Sequence, residues 1–125
     1  MIDRVTVAAW LENYVHAWKS NDPEAIGALF SEDAEYYYGP FDEPVVGREA
    51  IVASWLEDPD EPGTYDATYE PLTVEENVAV ANGRSRYYSA PGSKMVVSEF
   101  DNIFVIRFDE HGHCVEFREW YMKKQ

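Results

Sequence analysis

The segment Phe100-Asp-Asn-Ile-Phe-Val-Ile-Arg-Phe108 has the pattern of a long β-strand with one buried face. Neighbouring side chains of a strand point to opposite faces, so the even-numbered residues of this segment share one face. That face is apolar except at Asn102. The turn sequence Asp109-Glu-His-Gly112 follows, and a second β-rich segment covers residues 114–122. We therefore predict a hairpin formed by strands 94–108 and 114–122.

Two further strands are predicted before this hairpin. Residues 65–74 and 78–88 are rich in β-forming side chains, and Glu75-Glu-Asn77 between them has turn chemistry. Ala90-Pro-Gly92 separates the second of these strands from strand 94–108 in the same way. We expect the four strands to follow one another as an antiparallel meander.

The first half of the chain is predicted to be mostly helical. Apolar residues recur at helical spacing over residues 5–20, with Thr6 as the expected N-cap. Asn21-Asp-Pro23 would end this helix and begin a short second one. A short strand ending at Gly39 follows, and a third helix covers residues 47–56. This order predicts an α+β fold, in which three N-terminal helices pack on one face of a curved, mainly antiparallel sheet.

The composition argues against several kinds of partner. The chain of 125 residues has a formal net charge of −14, which repels phosphate backbones and anionic lipid, so we expect neither nucleic acid nor a membrane as partner. Cys114 is the only cysteine, which excludes an internal disulfide and fits a cytoplasmic protein. The segment His111-Gly-His-Cys114 lacks the spacing of a zinc site, and no phosphate loop or dinucleotide motif is present. We expect no metal and no cofactor.

Five segments carry a resemblance to a known family. They are Asn13-Tyr-Val15, Asp22-Pro-Glu-Ala-Ile-Gly-Ala-Leu-Phe30, Asp33-Ala34, Gly47-Arg-Glu-Ala-Ile51 and the ending from Phe108 to Tyr121. In this order they resemble the nuclear transport factor 2-like superfamily, in particular its ketosteroid isomerase and polyketide-cyclase (SnoaL-like) branch. The resemblance implies a single domain over residues 1–125, shaped as a cone (a cystatin-like α+β roll) with an apolar pocket at its open end. It also implies a small apolar or aromatic molecule as ligand and a homodimer.

Only part of the isomerase machinery has a counterpart in this sequence. The resemblance puts Tyr14 where those enzymes have an oxyanion-stabilising tyrosine, Tyr38 where they have the aspartate base, and Phe104 where they have a protonated aspartate. A neutral phenol cannot act as a carboxylate base near neutral pH, so steroid isomerisation by that mechanism is not expected. A comparison with limonene-epoxide hydrolase matches its last-strand acid to Glu119, but its Arg-x-Asp motif reads Arg84-Ser-Arg86 here. Epoxide opening is therefore an alternative activity.

Two polar residues interrupt faces that are otherwise apolar, Asn102 on strand 94–108 and Glu119 on the last strand. An unpaired polar group at such a place costs roughly 2 kcal/mol or more. Glu119 is therefore either neutralised by an arginine or exposed at the mouth of the cone, or it is a buried carboxyl group with a raised pKa that moves a proton. Arg84 and Arg86 share a strand face. If it is the inner one, a guanidinium could hold an anionic substrate or fix Glu119, and if it is the outer one, both are surface charge.

Aromatic residues are expected to form the wall of the pocket. Tyr14 and Trp18 lie one helical turn apart, and Tyr36 and Tyr38 share a strand face while Tyr37 points to the other side. The expected catalytic residues are Tyr14, Glu119, Asn102 and Arg86, and the expected substrate-binding residues are Trp18, Tyr36, Tyr38, Trp55, Tyr88, Phe104, Phe117 and Tyr121. Two functions fit these residues. One is a cofactor-independent acid–base enzyme (isomerase, cyclase, dehydratase or epoxide hydrolase), and the other is a non-catalytic module that binds an apolar ligand or dimerises.

Overall fold

The computed structural model describes residues 2–125 of the chain, and its first helix, α1, covers Arg4–Ser20. Its N-cap is Asp3, whose side chain accepts a hydrogen bond from the backbone N–H of Thr6 at 2.8 Å. The prediction of Thr6 as N-cap is therefore wrong, because Asp3 already supplies the capping oxygen and Thr6 lies within the first turn. The helix ends at Asn21 in the left-handed conformation, as the Asn-Asp-Pro sequence indicates.

The other two helices are short. Helix α2 covers Pro23–Gly27, and the side chain of Asp22 caps it by accepting from the N–H of Glu24. Helix α3 covers Arg48–Glu57 and begins at Gly47, whose φ of 98° is a conformation that side chains with a Cβ rarely adopt. All three predicted helices are thus confirmed, and the ends of α1 and α3 lie within one residue of those predicted.

A single open sheet contains the strands. They are β1 (Phe30–Tyr37), β2 (Val45–Val46), β3 (Tyr65–Glu75), β4 (Val78–Tyr88), β5 (Val96–Phe108) and β6 (Cys114–Lys123). The order across the sheet is β2-β1-β6-β5-β4-β3, and every neighbouring pair is antiparallel except β1 and β6, which run parallel. The predicted α+β fold with a mainly antiparallel sheet is confirmed, whereas the two-residue strand β2 was not predicted.

The core lies between α1 and the inner face of the sheet. Trp10 on α1 donates its indole N–H to the carbonyl of Leu29 at 3.0 Å, and its ring meets the edge of Phe108 at 5.6 Å between centroids. Phe104 and Phe117 are almost fully buried beside each other, with ring centroids 4.7 Å apart. Burial of this apolar surface is the main stabilising contribution to the fold.

Gly83 on β4 allows an aromatic residue of the neighbouring strand to lie close to the sheet. A Cβ at this position would overlap the carbonyl oxygen of Thr68 and both the backbone and the ring of Tyr69. Tyr69 is the direct partner of Gly83 across the β3–β4 pair. The Tyr69 ring can lie this close to β4 only because Gly83 has no Cβ. No helix among residues 2–125 is long and apolar enough to cross a membrane.

Candidate functional site

A cavity of about 450 Å³ opens where α1 ends, between α3, the loop that follows it and the inner face of the sheet. This volume lies within the range of small-molecule sites. Half of the lining residues are aromatic, and they come from helices and strands alike: Tyr14, Trp18, Tyr36, Tyr38, Trp55, Tyr69, Tyr87, Phe100 and Tyr121. The polar residues of the lining are Asn21, Asp42, Ser54, Asp58, Asp60, Ser85, Asn102 and Glu119.

Two phenols form a hydrogen-bonded pair in the deeper wall of the cavity. The hydroxyl oxygens of Tyr14 and Tyr36 are 2.8 Å apart, and both side chains are buried. Their rings lie parallel to the ring of Phe117, at 5.4 Å for Tyr14 and 4.5 Å for Tyr36. Burial holds the pKa of each phenol well above its ordinary value, so both remain protonated. Because one hydroxyl hydrogen closes the pair, the other is free to be donated to a ligand.

Glu119 is the carboxyl group of the sheet that faces this cavity. Its Oε2 accepts a hydrogen bond from Nδ2 of Asn102 at 2.8 Å, and Oδ1 of Asn102 accepts one from Oγ of Ser85 at 3.2 Å. Ser85 and Asn102 are buried polar residues, so these bonds satisfy groups that would otherwise be costly. Burial raises the pKa of Glu119 to about 7, although the Asn102 hydrogen bond acts in the opposite direction. Near neutral pH this side chain can therefore both accept and donate a proton.

The arginines considered as partners of Glu119 lie elsewhere. Arg86 donates from Nε to Oε2 of Glu99 at 2.9 Å, and Arg84 donates to Asp101 at 3.1 Å, both on the solvent side of the sheet. The alternation along β4 sends the side chain of Ser85, between them, into the cavity wall. The expectation that Arg86 orients a substrate in the pocket is corrected, because Arg86 points to the outer face.

Three of the expected wall residues do not line the cavity. On β4 it is Tyr87, on the same inward face as Ser85, that faces the cavity, whereas Tyr88 has the parity of Arg86. Phe104 and Phe117 point inward as expected, but they are only 1% and 0% exposed and lie beneath the rings of Tyr14 and Tyr69. They support the wall and do not form its surface.

The remaining expected residues lie in the wall. The indole N–H of Trp18 donates to Asp60 at 3.2 Å, and the hydroxyls of Tyr38 and Ser54 share a hydrogen bond of 2.8 Å. The indole nitrogen of Trp55 is buried and has no hydrogen-bond partner among residues 2–125. Tyr121 stands at the mouth and is exposed.

Tyr37 points to the opposite side of β1 from Tyr36. The guanidinium of Arg118 lies 4.0 Å from the centre of its ring. The alternation predicted for the three consecutive tyrosines is therefore present.

Several lining residues were missed by reasoning from sequence. Tyr69, Ser85 and Tyr87 could have been found from strand alternation once the inner face of β4 was known. Asp58 and Asp60 belong to the loop after α3, and strand alternation says nothing about a loop. Within the part of the chain that the structure describes, no group of three or more His, Cys, Asp or Glu side chains has the arrangement of a metal site.

Comparison with known families agrees with this architecture. The SnoaL-like domain matches residues 11–117, which is most of the chain. No curated protein shows significant sequence similarity to this chain. The chain belongs to the SnoaL-like domain family, a member of the nuclear transport factor 2-like superfamily. This is a small-molecule-binding form of the fold that is often enzymatic.

Proposed function

We propose that this SnoaL-like protein binds a small, largely apolar or aromatic molecule and catalyses an acid–base reaction on it without a cofactor. The observation that carries the proposal is the environment of Glu119. Its carboxyl group lies in an aromatic cavity with one amide as hydrogen-bond partner, and its pKa is raised to about 7. A general acid or base is most effective when its pKa lies near the working pH.

Glu119 is the proposed proton carrier. In its ionised form it removes a proton from the bound molecule, and in its protonated form it returns the proton at another atom. Asn102 positions the carboxyl group, because its Nδ2 is fixed by the bond to Oε2 and its Oδ1 by the hydroxyl of Ser85. The second oxygen of Glu119 is left for the substrate.

The Tyr14–Tyr36 pair is the proposed stabiliser of negative charge. Removing a proton next to a carbonyl group, or opening an epoxide, places charge on a substrate oxygen. The free hydroxyl hydrogen of the pair can be donated to that oxygen, and the buried surroundings strengthen the bond. Isomerisation, aldol-type cyclisation, dehydration and epoxide opening all fit one proton carrier with one such donor pair.

A non-catalytic binding protein of the same fold is the second candidate. It is favoured by the fact that Glu119 is the one lining residue whose pKa is raised to near neutrality, whereas the buried phenols titrate far above it. A reaction that needs separate acid and base groups would then lack one of them. Tyr38 and Phe104 supply no carboxyl group at the positions where the ketosteroid isomerases have theirs.

The test uses a panel of neutral aromatic ketones, enones and epoxides with the wild type and Glu119→Gln. Binding is followed by tryptophan fluorescence, since Trp18 and Trp55 line the cavity. We expect turnover by the wild type with a limb of the pH–rate profile near pH 7, and binding without turnover by the variant. Glu99→Gln, on the outer face, is the matched control and should behave as the wild type.

Two results would contradict the enzyme proposal. Normal turnover by Glu119→Gln would remove Glu119 as proton carrier. Binding of panel members by the wild type with no turnover at any pH would favour the non-catalytic alternative.

We also propose that two copies associate through the outer face of the sheet. Ile103 and Trp120 are direct cross-strand partners on that face, and Trp120 is 40% exposed, so the pair offers apolar surface to a second copy. Light scattering should give twice the chain mass of 14.4 kDa, and Trp120→Glu should give the single mass. A wild-type protein of single mass would refute the dimer.

A further inference from the structure

We propose that the ligand is an organic cation, with an ammonium group held over the aromatic rings at the mouth of the cavity. The proposal rests on the proposed function only in that it concerns the same cavity, and it names the class of molecule that this cavity selects.

The first observation is a continuous row of rings at the mouth. The ring of Trp18 lies 6.3 Å from that of Tyr87, Tyr87 lies 5.9 Å from Phe100, and Phe100 lies 5.8 Å from Tyr121. All four residues line the cavity. The face of an aromatic ring carries partial negative charge and attracts cations, and ammonium groups with methyl substituents are bound in this way by rings arranged around them.

The second observation is the sign of the charges in the wall. Four carboxyl groups line the cavity, those of Asp42, Asp58, Asp60 and Glu119, and no Lys, Arg or His of residues 2–125 does. None of the four forms an ion pair with a basic residue of this part of the chain. A wall with only negative charge, next to apolar rings of low dielectric, concentrates the field inside the cavity.

The ion pairs of the described residues lie away from the cavity. On the outer face of the sheet, Glu99 lies within 4 Å of Arg84, Arg86 and Lys124, and Arg107 and Arg118 both approach Glu116. Lys19, which follows Trp18 on α1, is paired with Asp66 at 2.8 Å. The basic side chains that form ion pairs among residues 2–125 thus all lie outside the cavity, and its four acids have no counter-ion in this part of the chain.

Tyr87 marks where the cation would lie. The negative charges of both Asp60 and Glu119 contribute to raising the pKa of Tyr87 to about 12, after the larger contribution of burial. The ring of Tyr87 neighbours that of Trp18, which is hydrogen-bonded to Asp60, and Tyr87 and Glu119 line the same cavity. An ammonium group on this ring would be attracted by the carboxylate on the loop after α3 and, when Glu119 is ionised, by the one on β6. Asp60 is held in place because it accepts the indole N–H of Trp18.

The experiment compares three probes of similar shape and different charge: benzyltrimethylammonium, neopentylbenzene and benzylsulfonate. Affinity is measured by tryptophan fluorescence, and the site is identified from the indole N–H signals of Trp18 and Trp55 by NMR. At low ionic strength we expect the cation to bind roughly tenfold more tightly than the neutral probe. We expect no binding of the anion, and a smaller preference for the cation at about 0.5 M salt.

The variant Asp58→Asn/Asp60→Asn tests the origin of the preference. It should reduce the ratio of cation to neutral affinity severalfold, because asparagine keeps an oxygen that can accept from Trp18 but removes the charge. Glu110→Gln removes one charge on the exposed hairpin turn between β5 and β6 and should leave the ratio unchanged. Circular dichroism of each variant confirms that it is folded.

The outcomes distinguish this inference from the proposed function. Equal or tighter binding of the neutral probe, a ratio that the double variant does not change, or no shift of either indole signal by any probe would overturn the organic-cation inference. If the neutral probe is preferred while Glu119→Gln abolishes turnover, the enzyme proposal stands alone. If the cation is preferred but Glu119→Gln keeps its turnover, the inference stands and Glu119 loses its role as proton carrier.

Discussion

The two ends of the same strand pair, β5 and β6, have opposite characters on the same inward face. Towards the hairpin turn, Phe104, Ile106 and Phe117 are buried in a closed core. Towards the other end, Asn102 and Glu119 stand in the wall of a cavity. Glu119 is the direct cross-strand partner of Phe104, so the change occurs within one residue pair.

Helix α1 explains the difference. Trp10 covers the closed end, where its ring contacts Phe108 and Phe117, whereas the helix ends at Ser20 soon after Trp18 reaches the mouth. Beyond this point none of the helices of residues 2–125 fills the space between α3 and the inner face of the sheet, where the cavity lies. The length of one helix thus decides which inward residues become core and which can carry polar groups, and the predictions below test that division.

The largest effect is expected from truncation at the closed end. Phe117→Ala should lower the free energy of unfolding by about 3–5 kcal/mol, because it leaves a cavity in a fully packed region. Tyr121→Ala, four residues further along β6, is the matched control and should cost less than about 1 kcal/mol, since Tyr121 is 60% exposed. Urea denaturation measures both. Equal losses would mean that the two ends do not differ in packing.

The second-largest effect is a change in the free energy of unfolding with pH that arises from Glu119. The pKa of this acid is about 7 in the folded protein and about 4.5 in the unfolded chain, so the folded state retains the proton to higher pH. The free energy of unfolding of the wild type should therefore fall, relative to that of Glu119→Gln, as pH rises from about 4.5 to about 7. The total change is on the order of 3 kcal/mol, and the difference should be constant above this range.

Measurement of the two proteins side by side isolates this contribution. Acids with a lowered pKa, such as Asp66 and Asp109, give an opposite slope at lower pH, but it is common to both proteins and cancels. A pH-independent difference would show that the carboxyl group of Glu119 is as well solvated as in the unfolded chain.

The third effect is expected from Asn102→Ala, which removes the amide between Ser85 and Glu119. It should cost about 1–3 kcal/mol, because both partners lose a hydrogen bond in a buried place. It should also raise the pKa of Glu119 further, since the bond from Asn102 lowers it. Asn82→Ala is the control on the outer face: it removes an exposed bond to the carboxylate of Asp101, which water can replace, and a part-buried bond to the backbone carbonyl of Asn102. Denaturation measures the loss of stability, and a carboxyl NMR titration measures the pKa of Glu119. If Asn82→Ala lowered the free energy of unfolding as much as Asn102→Ala, the bonds of Asn102 to Ser85 and Glu119 would have no special stabilising role.

The smallest effect is expected from Arg86→Gln. Its ion pair with Glu99 is solvent-exposed and two other basic residues contact the same carboxylate, so the denaturation midpoint should hardly move. Any change should disappear at high salt, because exposed charges are screened. A change in ligand affinity would place Arg86 in the cavity after all.

The sequence predicted most of this division but not all of it. Regular spacing identified the helices and strands, and alternation identified Asn102 and Glu119 as inward residues among apolar neighbours. The inner face of β4 could not be assigned, because it carries Ala79, Ala81 and Gly83, whose small side chains give a weak apolar signal. The exchange of Tyr88 for Tyr87 has the same origin, because Tyr87 shares the inward face of β4 with Ser85, whereas Tyr88 has the parity of the outward-pointing Arg86.

The hydroxyl pair of Tyr14 and Tyr36 gives the cavity an adaptable polarity. Either oxygen can be the donor within the pair, so the chain of two hydrogens can run in either direction. Reversing it moves the available hydrogen from one ring to the other by rotation about two C–O bonds, with no displacement of heavier atoms. The same pair could then donate a hydrogen bond to a ligand whose oxygen lies on the α1 side or to one whose oxygen lies on the β1 side, without any change in the protein backbone.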